Sequence, residues 1–376
     1  MKIIKYFLIS LILAGCYTGK EFIKGISYKD ENIRLLLISN IKSCSINPIG
    51  NFKILDINNN VIFLGNLNEI VAEISNNQIK VNNKVIGKDT IKIVSDDNKI
   101  RINEYIYRGV IEIYKEGDTL GIINELPIEE YLYGVVGREM GNSHIEALKA
   151  QAVAARTFTY YQKQRAKSKK YDINNVDQII SYTGVLKENP SAIEAVNLTK
   201  GEVIKYNGEL IFAPFHANCG GYTEDVKEVW DVNLPYLVSI PCYFCRNQKH
   251  YSWVVEIEKQ KFIDSLRKNG YNVSKVLGMD VIETSKTGRM KKMKIMTDKG
   301  KIIIDTNQLR LLVGSDTLKS TKFSVRERGN TFLFRGKGWG HGVGMCQDGA
   351  EGMAKAGYTY KQILVRYYKG VQVTTK

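Results

Sequence analysis

The stretch Ile145–Phe158, IEALKAQAVAARTF, constrains the fold more than any other part of the chain. Ile145, Leu148, Ala152, Ala155 and Phe158 recur at steps of three and four, which puts them on one face of a helix. Ala147, Ala150 and Ala154 widen that face with small side chains, so neighbouring elements can approach closely. Ser143 followed by Glu146 has the spacing of a capping box and marks the expected start, just after Glu139. Lys163–Lys170, KQRAKSKK, reads as a solvated end or linker.

Around this helix the patterning is mixed. Residues 28–125 alternate apolar and polar over short runs such as IRLLLIS and YIYRGVIEIYKEGDTLGIINELP, with turn pairs at Asn82-Asn83 and Gly117-Asp118. This predicts a β-rich N-terminal region, a scaffold with no cluster of catalytic residue types and Cys44 as its one cysteine. Residues 126–376 mix short strands (GEVIKYNGELIFAPFH, MKKMKIMTDKGKIIIDT) with helices such as 355–368. The expected fold is α+β, with mixed short strands and helices forming a cleft.

Charge and the N-terminus narrow the setting. Lys and Arg outnumber Asp and Glu by 54 to 39, a net +15 that points to an anionic partner: nucleic acid, a membrane surface or a cell wall. An AT-rich genome, which favours Lys codons, is a second source of the same excess. The opening MKIIKYFLISLILAGC has a basic start and an apolar run too short to span a bilayer as a mature helix. Its Leu13-Ala14-Gly15-Cys16 ending is similar to the bacterial lipobox, which implies cleavage after residue 15, lipidation of Cys16 and a tether over 16–27. An exported, membrane-anchored protein facing the wall or periplasm follows, with no nucleic acid as partner.

Three constellations could carry chemistry. Glu139, among Val135, Val136 and Met140, has the apolar setting that suits a general acid; a helix N-terminal charge favoured by the dipole is the plainer reading. His216 and Cys219 are three apart, as are Cys242 and Cys245, with 22 residues between the pairs. That spacing suits a closed, structural zinc site, with His250 as a substitute ligand; a Cys242–Cys245 disulfide, or a cleft role for His216, are alternatives. Residues 336–370 surround His341 with glycines and lack a phosphate-loop lysine with its following Ser or Thr, which excludes a P-loop nucleotide site.

Taken together these motifs resemble the SpoIID/LytB family: Tyr131–Val136, Glu139-Met140, Ala147–Thr157, Phe215-His216, Gly220–Thr223, Trp230, Pro235–Leu237 and Gly338–Met345, over residues 105–376. The resemblance implies a catalytic core at 126–376 and a lytic transglycosylase. It would cut the MurNAc–GlcNAc bond of peptide-stripped peptidoglycan glycan strands, with Glu139 as the acid and 1,6-anhydroMurNAc ends as product. The family name equally implies a non-catalytic wall-binding lipoprotein that stimulates a peptidoglycan amidase. Lys149, Gln151 and Arg156 match the helix motif and either line the cleft or lock the helix; Tyr182 and His341 are the other expected substrate contacts. Cys219, where the family often has Ser, implies its zinc-bearing variety, and Ile180 stands where a Gln is usual, ahead of Tyr182.

Overall fold

The computed structural model describes residues 32–66, 69–166, 168, 170–175 and 182–376; Cys16, its lipobox, the tether and Ile180 lie outside the described residues. Two compact units are present. One holds the described residues up to Pro214 with Met353–Val365 and Gly370–Lys376, the other Phe215–Gly352 with Arg366–Lys369. The fold is α+β, and among the described residues no helix is long and apolar enough to cross a membrane.

In the first unit strands fill Asn32 to Pro127, as the alternation predicts. A seven-stranded sheet runs Ile173–Asn174, Asn32–Ile41, Thr119–Pro127, Val110–Glu116, Thr90–Ser95, Phe52–Leu55, Val61–Gly65. A second, six-stranded sheet includes Ser43–Pro48 beside Ile70–Ser75. Both predicted turns are hairpin turns. Asn82 and Asn83 adopt φ of 47° and 66° between Gln78–Val81 and Lys84–Val85, the left-handed pair that a two-residue hairpin needs. Gly117, at φ 61°, turns Val110–Glu116 into Thr119–Pro127.

Helices α1 (Ile128–Met140), α2 (Ile145–Gln164) and α3 (Pro190–Leu198) follow in this unit. α2 is the predicted alanine-rich helix, but its burial exceeds one stripe: every residue from Ala150 to Tyr160 is buried. Such all-round burial marks a central helix wrapped by its neighbours. Its cap also differs from the predicted box. His144 is the N-cap, its Nδ1 accepting the Glu146 N–H at 3.2 Å, while Ser143 Oγ donates to the Met140 carbonyl at 2.7 Å. The Glu146 carboxylate instead takes the backbone N–H of Tyr360, at the start of helix Tyr360–Tyr367, at 2.7 Å. An unpaired first-turn amide of another helix is as good a partner as its own.

The second unit has its own core, in which Phe262, Leu266, Met293, Ile295, Leu309 and Phe334 are buried between two three-stranded sheets and helices Lys259–Lys268 and Thr306–Val313. A short parallel pair, Phe215–His216 with Met345–Cys346, brings together two motifs more than a hundred residues apart. Of the helix expected over 355–368, Tyr360–Tyr367 is helical; Gly357, with a φ of 87°, lies in the turn that separates it from the preceding helix Gln347–Lys355.

Candidate active site and metal centre

Glu139 is the penultimate residue of α1, not a residue at a helix start. The N-terminal dipole explanation for its charge therefore fails: at this end the helix dipole opposes a negative group. The rest of α1 explains why a carboxylate can be held there. Tyr131, Leu132, Val135 and Val136 are wholly buried, anchoring the helix, while Glu139 itself is half-buried. Gly137 lets the last turns sit directly on the backbone, since a Cβ there would lie 2.0 Å from the Lys187 carbonyl oxygen. Two turns before Glu139, burial pushes the Tyr131 phenol up, and the charge of Glu139 adds to that shift.

The other expected sugar contacts serve the fold. Arg156 is 0% exposed and grips Glu129 with two hydrogen bonds, Nε–Oε1 at 2.9 Å and Nη2–Oε2 at 2.6 Å. Its remaining donors reach the carbonyls of Glu202 and Val196. Gln151 is equally buried. Tyr182 is enclosed, its ring 5.0 Å from that of Tyr131 and 5.9 Å from that of Tyr107, so it is a core aromatic. Lys149 is half-buried, paired with Glu146 at 2.8 Å and lying 5.7 Å over the Tyr360 ring. Within this motif, then, Gln151 and Arg156 are buried and Lys149 is half-buried.

In the second unit Cys219, Cys242 and Cys245 converge, but the fourth member is Cys346 and not His216. The four sulfurs lie within 4.8 Å of one another and all four residues are buried; Cys219 and Cys245 sulfurs are 3.6 Å apart. A zinc–sulfur distance of roughly 2.3 Å gives a tetrahedral edge of about 3.8 Å, so the set fits a four-thiolate ion. Cys242 and Cys245 are unbridged. Around the sulfurs stand the donors a thiolate site needs: the N–H groups of Cys219 and Gly349 reach Cys346 Sγ at 3.3 Å each, and the Tyr367 hydroxyl lies 3.1 Å from Cys242 Sγ. Hydrogen bonds from Cys219 and the other cysteines hold the Cys242 thiol far below its usual range. Cys346 had a signal in the sequence: once Cys16 is given to the lipobox and Cys44 to the sheets, four cysteines remain.

The histidines are occupied elsewhere. His216 Nδ1 lies 3.1 Å from the Val343 carbonyl, and His341 Nδ1 accepts the Val343 N–H at 3.1 Å while its Nε2 lies 3.0 Å from the Phe215 carbonyl. Burial, with Arg289 nearby, lowers His341 to about 3 and His216 well below the ordinary value, so both are neutral. His341 therefore fastens the glycine-rich loop with both nitrogens. His250 pairs with Asp348 at 3.1 Å, outside the cysteine cluster.

Comparison with known proteins agrees with these motifs. Residues 116–206, which contain α1 and α2, match the family model described as Stage II sporulation protein; residues 242–344 match one described as a domain of unknown function. An uncharacterized protein of Brachyspira hyodysenteriae is 31% identical over 92% of this chain and 94% of its own length. The amidase enhancer of Bacillus subtilis is 28% identical over 83% of this chain, which spans only 54% of that relative. Stage II sporulation protein D of Bacillus amyloliquefaciens is 30% identical over 67% of this chain and 75% of its own length. With Glu139-Met140, the alanine-rich helix and the glycine-rich histidine loop all in order, the chain belongs to the SpoIID/LytB family.

Proposed function

We propose that this protein is a peptidoglycan lytic transglycosylase, exported and anchored through a lipidated Cys16, with Glu139 as its one acid–base residue. The observation that carries the reading is the position of Glu139: half-buried at the end of a helix whose preceding turns are locked into the core, in the segment matched by the family model. A rigid helix end holds a carboxyl in one geometry, as proton transfer requires.

The chemistry needs a single carboxyl. The protonated Glu139 gives its proton to the oxygen bridging MurNAc and GlcNAc as the C1–O bond breaks. The resulting carboxylate takes the proton of the muramic C6 hydroxyl, whose oxygen closes onto C1. A 1,6-anhydro ring forms and no water is consumed, so the second carboxylate of ordinary glycosidases has no task here. The four-cysteine cluster would hold a structural zinc ion, since four protein ligands leave no open position for catalysis.

The test is incubation of Glu139→Gln protein with purified, peptide-free glycan strands, read by mass spectrometry of anhydro-muramyl products. Loss of a general acid lowers the rate by about 10²–10⁴-fold; release at the unaltered protein's rate overturns the assignment. The similarity to an amidase enhancer across 83% of this chain supports a second reading, a wall-binding lipoprotein that stimulates an amidase. Amidase stimulation by a protein that releases no anhydro ends would favour it.

A further inference from the structure

A strand at the edge of a sheet leaves main-chain N–H and C=O groups without strand partners, and proteins blunt such edges with charge or by keeping them short. Among the described residues most edges of this chain are blunted so. Tyr105–Arg108, Ser252–Glu258, Val276–Thr284, Gly300–Asp305 and Phe323–Arg328 carry charged side chains such as Arg108, Glu256, Asp280, Lys301 and Arg326. Gln372–Thr375 is polar apart from Val373, and the remaining edges but one are two residues long. The exception is Val61–Gly65, which ends the seven-stranded sheet. Its sequence, VIFLG, has no charge on either face. Val61 is 55% exposed, Phe63 38% and Leu64 63%, and Ile57, in the preceding turn, 62%. One side of the strand is paired with Phe52–Leu55, Leu64 opposite Lys53 and Phe63 opposite Ile54. Alternation therefore turns Ile62 and Leu64 to one face and Phe63 to the other. The Phe63 and Phe52 rings fill the place of the missing Gly65 side chain, each 2.7 Å from where its Cβ would stand, which fixes the Phe63 ring.

We propose that this edge pairs with the same edge of a second copy of this chain, antiparallel about a two-fold axis at Phe63. That register sets Ile62 against Leu64 of the partner subunit on one face and brings the two Phe63 side chains together on the other. Every apolar group meets another, no charge is buried, and a two-fold needs only one kind of edge. The unpaired N–H and C=O groups argue against a lipid interior as the cover, since hydrocarbon offers them no partner and a strand does. So short a strand buries on the order of 1,000 Å² in all, the size of weak, reversible complexes. Such a dimer is populated where copies are concentrated, and in that respect it rests on the anchoring through Cys16 proposed above, which confines them to one surface.

Sedimentation equilibrium of the whole chain, purified with its anchor in density-matched detergent, tests the pairing. The mass should rise from one copy toward two with concentration. Leu64→Lys should weaken association about tenfold or more by placing a charge at the edge, without lowering the melting temperature, because Leu64 is exposed. An unaltered protein that stays single throughout, or a Leu64→Lys protein that associates equally well, overturns the proposal. Register is read in membranes by oxidising single-cysteine replacements that melt normally. Phe63→Cys should link two copies, whereas Lys53→Cys should not, since its mates would stand three strand spacings, ~14 Å, apart. Linking of both to the same extent, or of neither, also overturns it. So does a Leu64→Lys protein that loses binding to lipid vesicles while its mass is unchanged, which would give the edge to the membrane surface. A chain that carries no acyl group on Cys16 and still dimerises through Leu64 would overturn the anchoring and leave this interface standing.

Discussion

His216 and His341 grip one residue from both sides. Val343 donates its N–H to Nδ1 of His341, and its carbonyl lies 3.1 Å from Nδ1 of His216. The rings meet edge to face at 5.4 Å, and His341 also reaches the Phe215 carbonyl. The loop between Gly338 and Gly344 has four glycines at positive φ, so these two rings hold in one conformation a segment whose backbone would otherwise have many.

Stability should therefore fall in acid. His341 is depressed to about 3 in the folded protein, from about 6.5 in an unfolded chain. Between those values the unfolded chain binds a proton that the folded protein refuses. The contribution is complete above about pH 6.5 and is lost as pH falls toward 3. Unfolding free energies from urea melts across that range should drop by up to about 1.4 kcal/mol per pH unit for each neutral histidine, and His341→Gln should flatten the slope. An unchanged slope in that variant would remove His341 from the account.

Gly137 has no room for a methyl group, because a Cβ would meet the Lys187 carbonyl at 2.0 Å and Asn189 at 3.1 Å. Gly137→Ala should destabilise the protein by about 1–3 kcal/mol through forced backbone separation, although alanine is the better helix former. A thermal melt equal to that of the unaltered protein would contradict this packing.

Arg156→Ala should cost about 3–5 kcal/mol, because Glu129 and two backbone carbonyls lose a buried cation. The effect belongs to folding. In protein that remains folded at low temperature, glycan affinity should be unchanged, and an affinity loss without loss of stability would restore Arg156 as a sugar contact.

Metal content separates the sulfur cluster from the histidine. Cys346→Ser should reduce bound zinc well below one equivalent and lower the melting temperature, whereas His216→Ala should keep the metal. Elemental analysis with the reverse pattern would reinstate His216 as ligand.

The sequence alone determined what depends on neighbours along the chain. Alternation placed strands in the N-terminal region, Asn82-Asn83 and Gly117 marked their turns, and the three-to-four spacing marked α2. These are local properties of backbone and side chain, and they survive transfer from string to structure. Only the tertiary structure decided the partners of polar groups. It exchanged His216 for Cys346, placed Arg156 and Tyr182 in the core, and set Glu139 at the end of a helix rather than before one. Long-range pairing, such as that of Phe215–His216 with Met345–Cys346, chooses among chemically equal donors by distance, and distance across more than a hundred residues is not written in their spacing.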